Sequence, residues 1–199
     1  MPLLWPSVCT PSDEIEAIKA LTANLNGIEA NFRAVETAFR LYWFCKIPSP
    51  HVARSDLEGW RYIAAHACTF EMNNLGRRLR DVAGKRTQSL PSIRHLIDWG
   101  AIRESKKSFE RLLPDAEAIR NSVAHFAEND VDPNDHVVLG QCYLGGFHEP
   151  DVFSAPYRKR LRSIHLTNNT IANLRDVVSA YLAAFRMAAA ELDQQGSLD

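Results

Sequence analysis

Apolar residues recur at helical spacing along most of the chain. Phe32, Val35, Phe39 and Tyr42–Trp43 fall three or four positions apart, which marks one buried helical face. The pattern predicts a helix from Ile28 to about Lys46, stopped by Ile47-Pro48-Ser49-Pro50. An earlier helix, capped by Ser12, runs to about Asn26, with Asp13 and Glu14 favouring its N-terminal dipole. Gly27 either ends that helix or interrupts a longer one. Ser55-Asp56-Leu57-Glu58 has the form of a capping box, opening a helix that reaches roughly Val82 with Gly84 as its terminator. Ser89 and Pro91 start a short helix through about Trp99. Another begins near Glu104, and Pro114 should kink or break it, because proline removes a helical hydrogen bond and clashes with the preceding turn. The segment from Asp115 to about Ala127 continues beyond the proline.

The texture then changes. Asp130 to Asp135 is rich in turn residues. His136–Phe147 and Val152–Leu166 look like two strands joined by a Gly-Gly-Phe-His-Glu-Pro connection. Thr167 or Asn168 caps a last helix, whose stripe of Ile171, Leu174, Val178, Tyr181 and Phe185 has helical spacing. Residues 194–199 read as a flexible tail. The expectation is a mainly α protein: one helical domain over residues 1–199, with a small β-hairpin at 136–166 inserted before the last helix.

Composition narrows this picture. With 199 residues there is enough chain for one domain with a real core, and a formal net charge of −1 argues against a surface coated in positive charge. Cys9, Cys45, Cys68 and Cys142 are far apart and form no C-x-x-C pair, which fits free thiols in a reducing cytosol. Met1 to Pro6 has no basic region and is broken by prolines, so it is a poor signal peptide. The apolar run from Val177 to Ala190 carries Arg186 and is too short to span a bilayer. The chain therefore reads as a cytoplasmic protein with no membrane contact. The histidines show no H-x-x-x-H or H-E-x-x-H spacing, so neither a metal site nor a cofactor is expected.

Candidate chemistry lies in Ala118-Ile-Arg-Asn-Ser-Val-Ala-His-Phe126. Arg120 is permanently charged, and His125 can exchange a proton near neutral pH, a pair suited to phosphodiesters. The spacing alone says little. With 17 arginines and 7 histidines, chance gives roughly 0.6 Arg-x4-His pairs by template counting. Three exist. In Arg61/His66, inside the third helix, packing explains both residues, with His66 half-buried and Arg61 reaching to solvent. Arg160/His165 falls in an expected strand, where a separation of five puts the side chains on opposite faces. Arg120/His125 differs because Asn121 follows the arginine and is an i, i+4 neighbour of His125. Arg120 itself points about 140° away from His125 around the helix axis. That offset favours a groove completed by a second protomer.

Ile119-Arg120-Asn121-Ser122-Val123-Ala124-His125 resembles the R-[polar]-x-x-x-H signature of the HEPN superfamily, whose members are up-and-down helical bundles of about this size with the motif on a late helix. Those of toxin–antitoxin and abortive-infection loci look most similar. The resemblance implies a metal-independent endoribonuclease working as a homodimer with a composite active site. His125 would be the general acid/base, Arg120 would bind the scissile phosphate, and Asn121 would orient the histidine or the phosphate. RNA supplies its own 2′-OH nucleophile, so the products would be a 2′,3′-cyclic phosphate and a 5′-hydroxyl. Such a protein would be a toxin or phage-defence effector held by an antitoxin. Many HEPN domains are instead catalytically inactive binding or scaffold proteins, which dimerise and bind RNA, a nucleotide or a protein. A toxin subclass carries a tyrosine two residues after the histidine, where this chain has Ala127, so control by modification there is not expected. Arg77, Arg78, Arg80, Lys85 and Arg86 cluster near one helix end. Arg158, Arg160 and Arg162 alternate and should share one strand face. Either set could guide RNA phosphates, although a solvated surface explains each as well.

Overall fold

Residues 4, 6, 10–82, 90–124, 146–158 and 160–196 are described by the structure, a computed structural model. Their order is α1 (Ile15–Phe44), α2 (Arg54–Val82), α3 (Pro91–Arg94), α4 (Trp99–Leu112), α5 (Ala116–Ala124), β1 (Gly146–Glu149), β2 (Val152–Tyr157), β3 (Arg160–His165), α6 (Asn168–Ala183) and α7 (Arg186–Gly196). The protein is mainly helical, with a small antiparallel sheet before the last helices.

Two compact units divide the chain. One draws on Met1–Asn31, Leu75–Arg111 and Leu174–Asp199. Here Ile18, Leu21, Leu25 and Ile28 of α1, Leu75 and Leu79 of α2, and Phe109 of α4 are buried. Gly27 does not end a helix, because α1 runs through it. A Cβ at Gly27 would collide with the Arg78 guanidinium, so this mid-helix glycine serves close approach. Gly76 does the same on α2, where a Cβ would come within 2.7 Å of Cζ of Phe109. The expected last helix is two. It breaks after Ala183, where the Ala184 carbonyl accepts the Asp98 N–H at 3.0 Å, and Phe185 stays buried beyond the break. Tyr181, also buried, donates its hydroxyl to the Leu79 carbonyl at 3.2 Å. Helix α7 continues to Gly196, so it includes residues 194–196.

The other unit comprises Phe32–Asn74 and Leu112–Asn173. Its core includes Val35, Phe39 and Tyr42 of α1, Ala64, Ala65, Cys68 and Met72 of α2, Ile119 of α5, and Phe153, Ala155 and Ile164 of the sheet. Pro114 marks a break, as expected, with α4 ending at Leu112 and α5 starting at Ala116. Thr167 is the cap of α6, its Oγ1 accepting the Thr170 N–H at 3.1 Å.

The sheet corrects the strand reading. Val152–Leu166 is not one strand but a hairpin, with β2 and β3 paired from Val152↔His165 to Tyr157↔Arg160. The presumed connection supplies β1, which pairs with β2 through Gly146↔Ser154 and Phe147↔Phe153. The tight turn contains no glycine or asparagine. Arg158 takes the left-handed backbone itself, at φ 48°, so the usual hairpin signal is missing from the sequence. Of the first expected strand, residues 136–145 lie outside the described residues.

Candidate functional site

Helix α5 carries the Arg-Asn motif and is pinned to the sheet at both ends. At its start, the Asp115 carboxylate accepts the Ser163 N–H at 3.3 Å and pairs with Arg162 at 3.1 Å. Near its end, buried Ser122 donates its hydroxyl to the Pro156 carbonyl of β2. Between these anchors Arg120 and Asn121 are half-buried, and Arg120 Nη1 donates to Asn121 Oδ1 at 3.0 Å. Arg120 Nε is buried and has no hydrogen-bond partner among the described residues. His125, which follows α5 directly in the chain, lies outside the described residues, as does Ala127.

The basic clusters separate. Arg77 and Arg78 lie near the C-terminal end of α2, both exposed, in the unit that does not contain α5. Lys85 and Arg86 fall outside the described residues. Arg158, expected on a strand face with Arg160 and Arg162, instead occupies the β2–β3 turn, its guanidinium 5.2 Å from the Tyr157 ring centre. Arg160 is exposed on β3, and Arg162 is half-buried in its pair with Asp115.

A second constellation surrounds Arg61 of α2, where the sequence suggested only packing. Arg61 is half-buried rather than extended freely into solvent. Its guanidinium lies 4.1 Å from the ring centre of Phe147 on β1, and Nη2 donates to the Tyr42 hydroxyl at 3.2 Å. Tyr42 in turn donates to Asp151 Oδ1 at 2.6 Å. Lys46, just past α1, pairs with the same carboxylate oxygen, and its ammonium sits 3.8 Å from the Trp43 ring centre. Asp151 reaches this position from the β1–β2 turn, where it adopts φ 67°, a conformation that Asp tolerates better than most residues. The Arg61 Nε is buried without a hydrogen-bond partner among the described residues. A buried donor left so costs on the order of 1–3 kcal/mol. His66 behaves as expected. It is half-buried, its ring 4.3 Å from Tyr62 and 4.9 Å from Phe153, and Nε2 has no hydrogen-bond partner among the described residues.

These environments shift the ionising groups. Burial, reinforced by the bond to Asp151, pushes the Tyr42 phenol up to about 12, so it acts as a donor. At Asp151 burial opposes ionisation. The hydrogen bonds from Lys46 and Tyr42, with the Lys46 and Arg61 charges, together outweigh it and hold the carboxyl below its ordinary value. Burial lowers His66 and raises the Cys45 thiol. Cys45 and Cys68 are free buried thiols.

No group of three or more His, Cys, Asp or Glu among the described residues is placed to hold a metal ion. None of the described helices is long and apolar enough to cross a membrane. Comparisons with protein-family models, with curated proteins and with solved structures each found no match.

Proposed function

We propose that the protein is a metal-independent, HEPN-type endoribonuclease in which Arg120, Asn121 and His125 act on RNA. The reading rests on the motif, and one observation carries it furthest. Arg120 is a half-buried cation on a helix clamped at both ends, held by Asn121, with a buried Nε–H that no described group accepts. A guanidinium in that condition suits a phosphoryl oxygen, whose growing charge it would stabilise without rearranging. His125 would take the proton from the 2′-OH and return one to the leaving 5′-oxygen. A homodimer would bring the two motifs to one cleft, Arg160 on β3 would attract RNA, and an antitoxin protein would restrain a toxin of this kind.

The test is cleavage of RNA in EDTA by the wild type and by His125→Ala. The expected result is metal-free cleavage that leaves 2′,3′-cyclic phosphate ends and falls by about 10²–10⁴-fold in the variant, the usual contribution of a general acid/base. Cleavage that survives the substitution, or that chelator abolishes, would sink the proposal. The pairing of Arg162 with Asp115 favours a second reading, a catalytically silent HEPN-like scaffold, because that arginine is already neutralised within the fold. RNA retention without any cleavage would select it.

A further inference from the structure

Beside the Arg61 constellation lies a cavity of about 510 Å³, a volume within the ordinary range of small-molecule pockets. Lys46, Arg54 and Arg61 contribute its cations. Pro48, Val52 and Leu57 give it apolar wall. All of them belong to the end of α1, the loop that follows it, and the first turns of α2.

The charges can be balanced one by one. Lys46 is paired with Asp151, and Arg54 Nε with Glu58 Oε1 at 3.0 Å. Arg61 has no carboxylate hydrogen-bonded to it among the described residues; its one bonded neighbour there is the Tyr42 hydroxyl, a phenol that stays protonated. Among the described residues, three cations against two carboxylates leave one positive charge in surplus, and it sits on the Arg61 guanidinium. Phe147 and Tyr42 hold that guanidinium in place, so little conformational freedom remains to be lost when a ligand binds. One surplus charge beside an apolar wall matches an anion with a single charge and an apolar body. A planar carboxylate suits the guanidinium fork.

We propose that this cavity is a binding site for a small organic monocarboxylate, its carboxylate on Arg61 and its hydrocarbon part against Pro48, Val52 and Leu57. The site is independent of the ribonuclease reading and stands or falls without it.

The experiment is calorimetric titration and thermal melting of the full chain with hexanoate and benzoate, with hexylamine and inorganic phosphate as counter-probes. Saturable binding of at least one carboxylate, with heat and a raised melting midpoint, is expected, and no comparable effect from hexylamine. Arg61→Gln should weaken binding by about tenfold or more, the loss expected for a charge-assisted pair. Since Arg61→Gln alters a half-buried cluster, Val52→Trp serves as a second variant. It fills the cavity from the loop, leaves every charge in place, and should abolish binding. Several outcomes would overturn the proposal: neither carboxylate binding the wild type, binding undiminished in either variant, hexylamine binding equally well, or phosphate binding where the carboxylates do not.

Discussion

Arg61 and Arg120 each lie on a helix and precede a histidine by five residues in the sequence, yet the fold treats them differently. Arg61 is enclosed by groups from distant parts of the chain: Tyr42 on α1, Phe147 on β1, and through Tyr42 the carboxylate of Asp151. Arg120 has only its neighbour Asn121 as a hydrogen-bond partner among the described residues, and its helix is fixed by other residues, Asp115 and Ser122. The first arginine is therefore part of what holds a unit together. The second is held in place by a scaffold that does not depend on it. The proposed ribonuclease reading then requires that Arg120 can be removed at the expense of cleavage alone, and Arg61 at the expense of stability alone.

The largest effect is expected at Arg120. Arg120→Ala should reduce RNA cleavage by about 10²–10³-fold, the cost of losing one preorganised stabiliser of transition-state charge. The melting midpoint should hardly move, because the anchors of α5 remain. A variant that melts much earlier, with activity lost in proportion to unfolding, would erase the distinction between the two arginines. Arg61→Met is the converse. It removes the guanidinium over Phe147 and its hydrogen bond to Tyr42, and should cost about 2 kcal/mol in denaturant unfolding, within the range for a hydrogen bond from a charged group. Cleavage per folded molecule should be unchanged.

The contrast also explains what could be read in advance. Many helix positions were legible because periodicity, the Thr167 cap and Pro114 are local signals, although α2 opens at Arg54, ahead of the expected Ser55 cap. The continuity of α1 through Gly27 was not, since it depends on Arg78 lying against that glycine from another helix. The hairpin within Val152–Leu166 was hidden because its turn bends at Arg158 rather than at a glycine. Arg120 and Asn121 were singled out by their neighbours in sequence alone. The Arg61 constellation could not be found that way. Tyr42 and Asp151 are 109 positions apart, and no spacing rule joins them. The available hint was compositional: Tyr42, Trp43 and Lys46 put aromatic rings and a cation at one helix end, a frequent setting for charge held by rings.

A smaller effect tests Asp151. Its folded carboxyl ionises below the ordinary value, so the stability it contributes is fully present above the unfolded value of about 3.9 and is lost as pH falls through the folded one. Asp151→Asn keeps a side chain that tolerates φ above zero but removes the charge facing Lys46 and Arg61. Unfolding by urea at neutral pH should show a loss of about 1 kcal/mol, in the range for a charge-assisted hydrogen bond in a partly exposed setting. In acid the two proteins should converge. A constant gap down through the acid range would mean that Asp151 acts through backbone shape and not through its charge.

The smallest effect concerns His66, and it separates packing from chemistry on the Arg61 side. Burial lowers the ionisation of this imidazole, so the folded protein resists taking up a proton that the unfolded chain accepts below about pH 6.5. Stability must therefore decline as pH drops from that value towards the folded one, and the penalty is complete below it. His66→Phe keeps a ring beside Tyr62 and Phe153 and removes both the titration and the buried Nε2, which no described residue bonds. The variant should match or slightly exceed the wild type at neutral pH, and its advantage should widen as the melt is repeated between about pH 7 and pH 5. If cleavage activity follows the same substitution while the fold stays intact, then His66, and with it Arg61, belongs to the chemistry after all, and the division of labour between the two Arg-x4-His pairs is reversed.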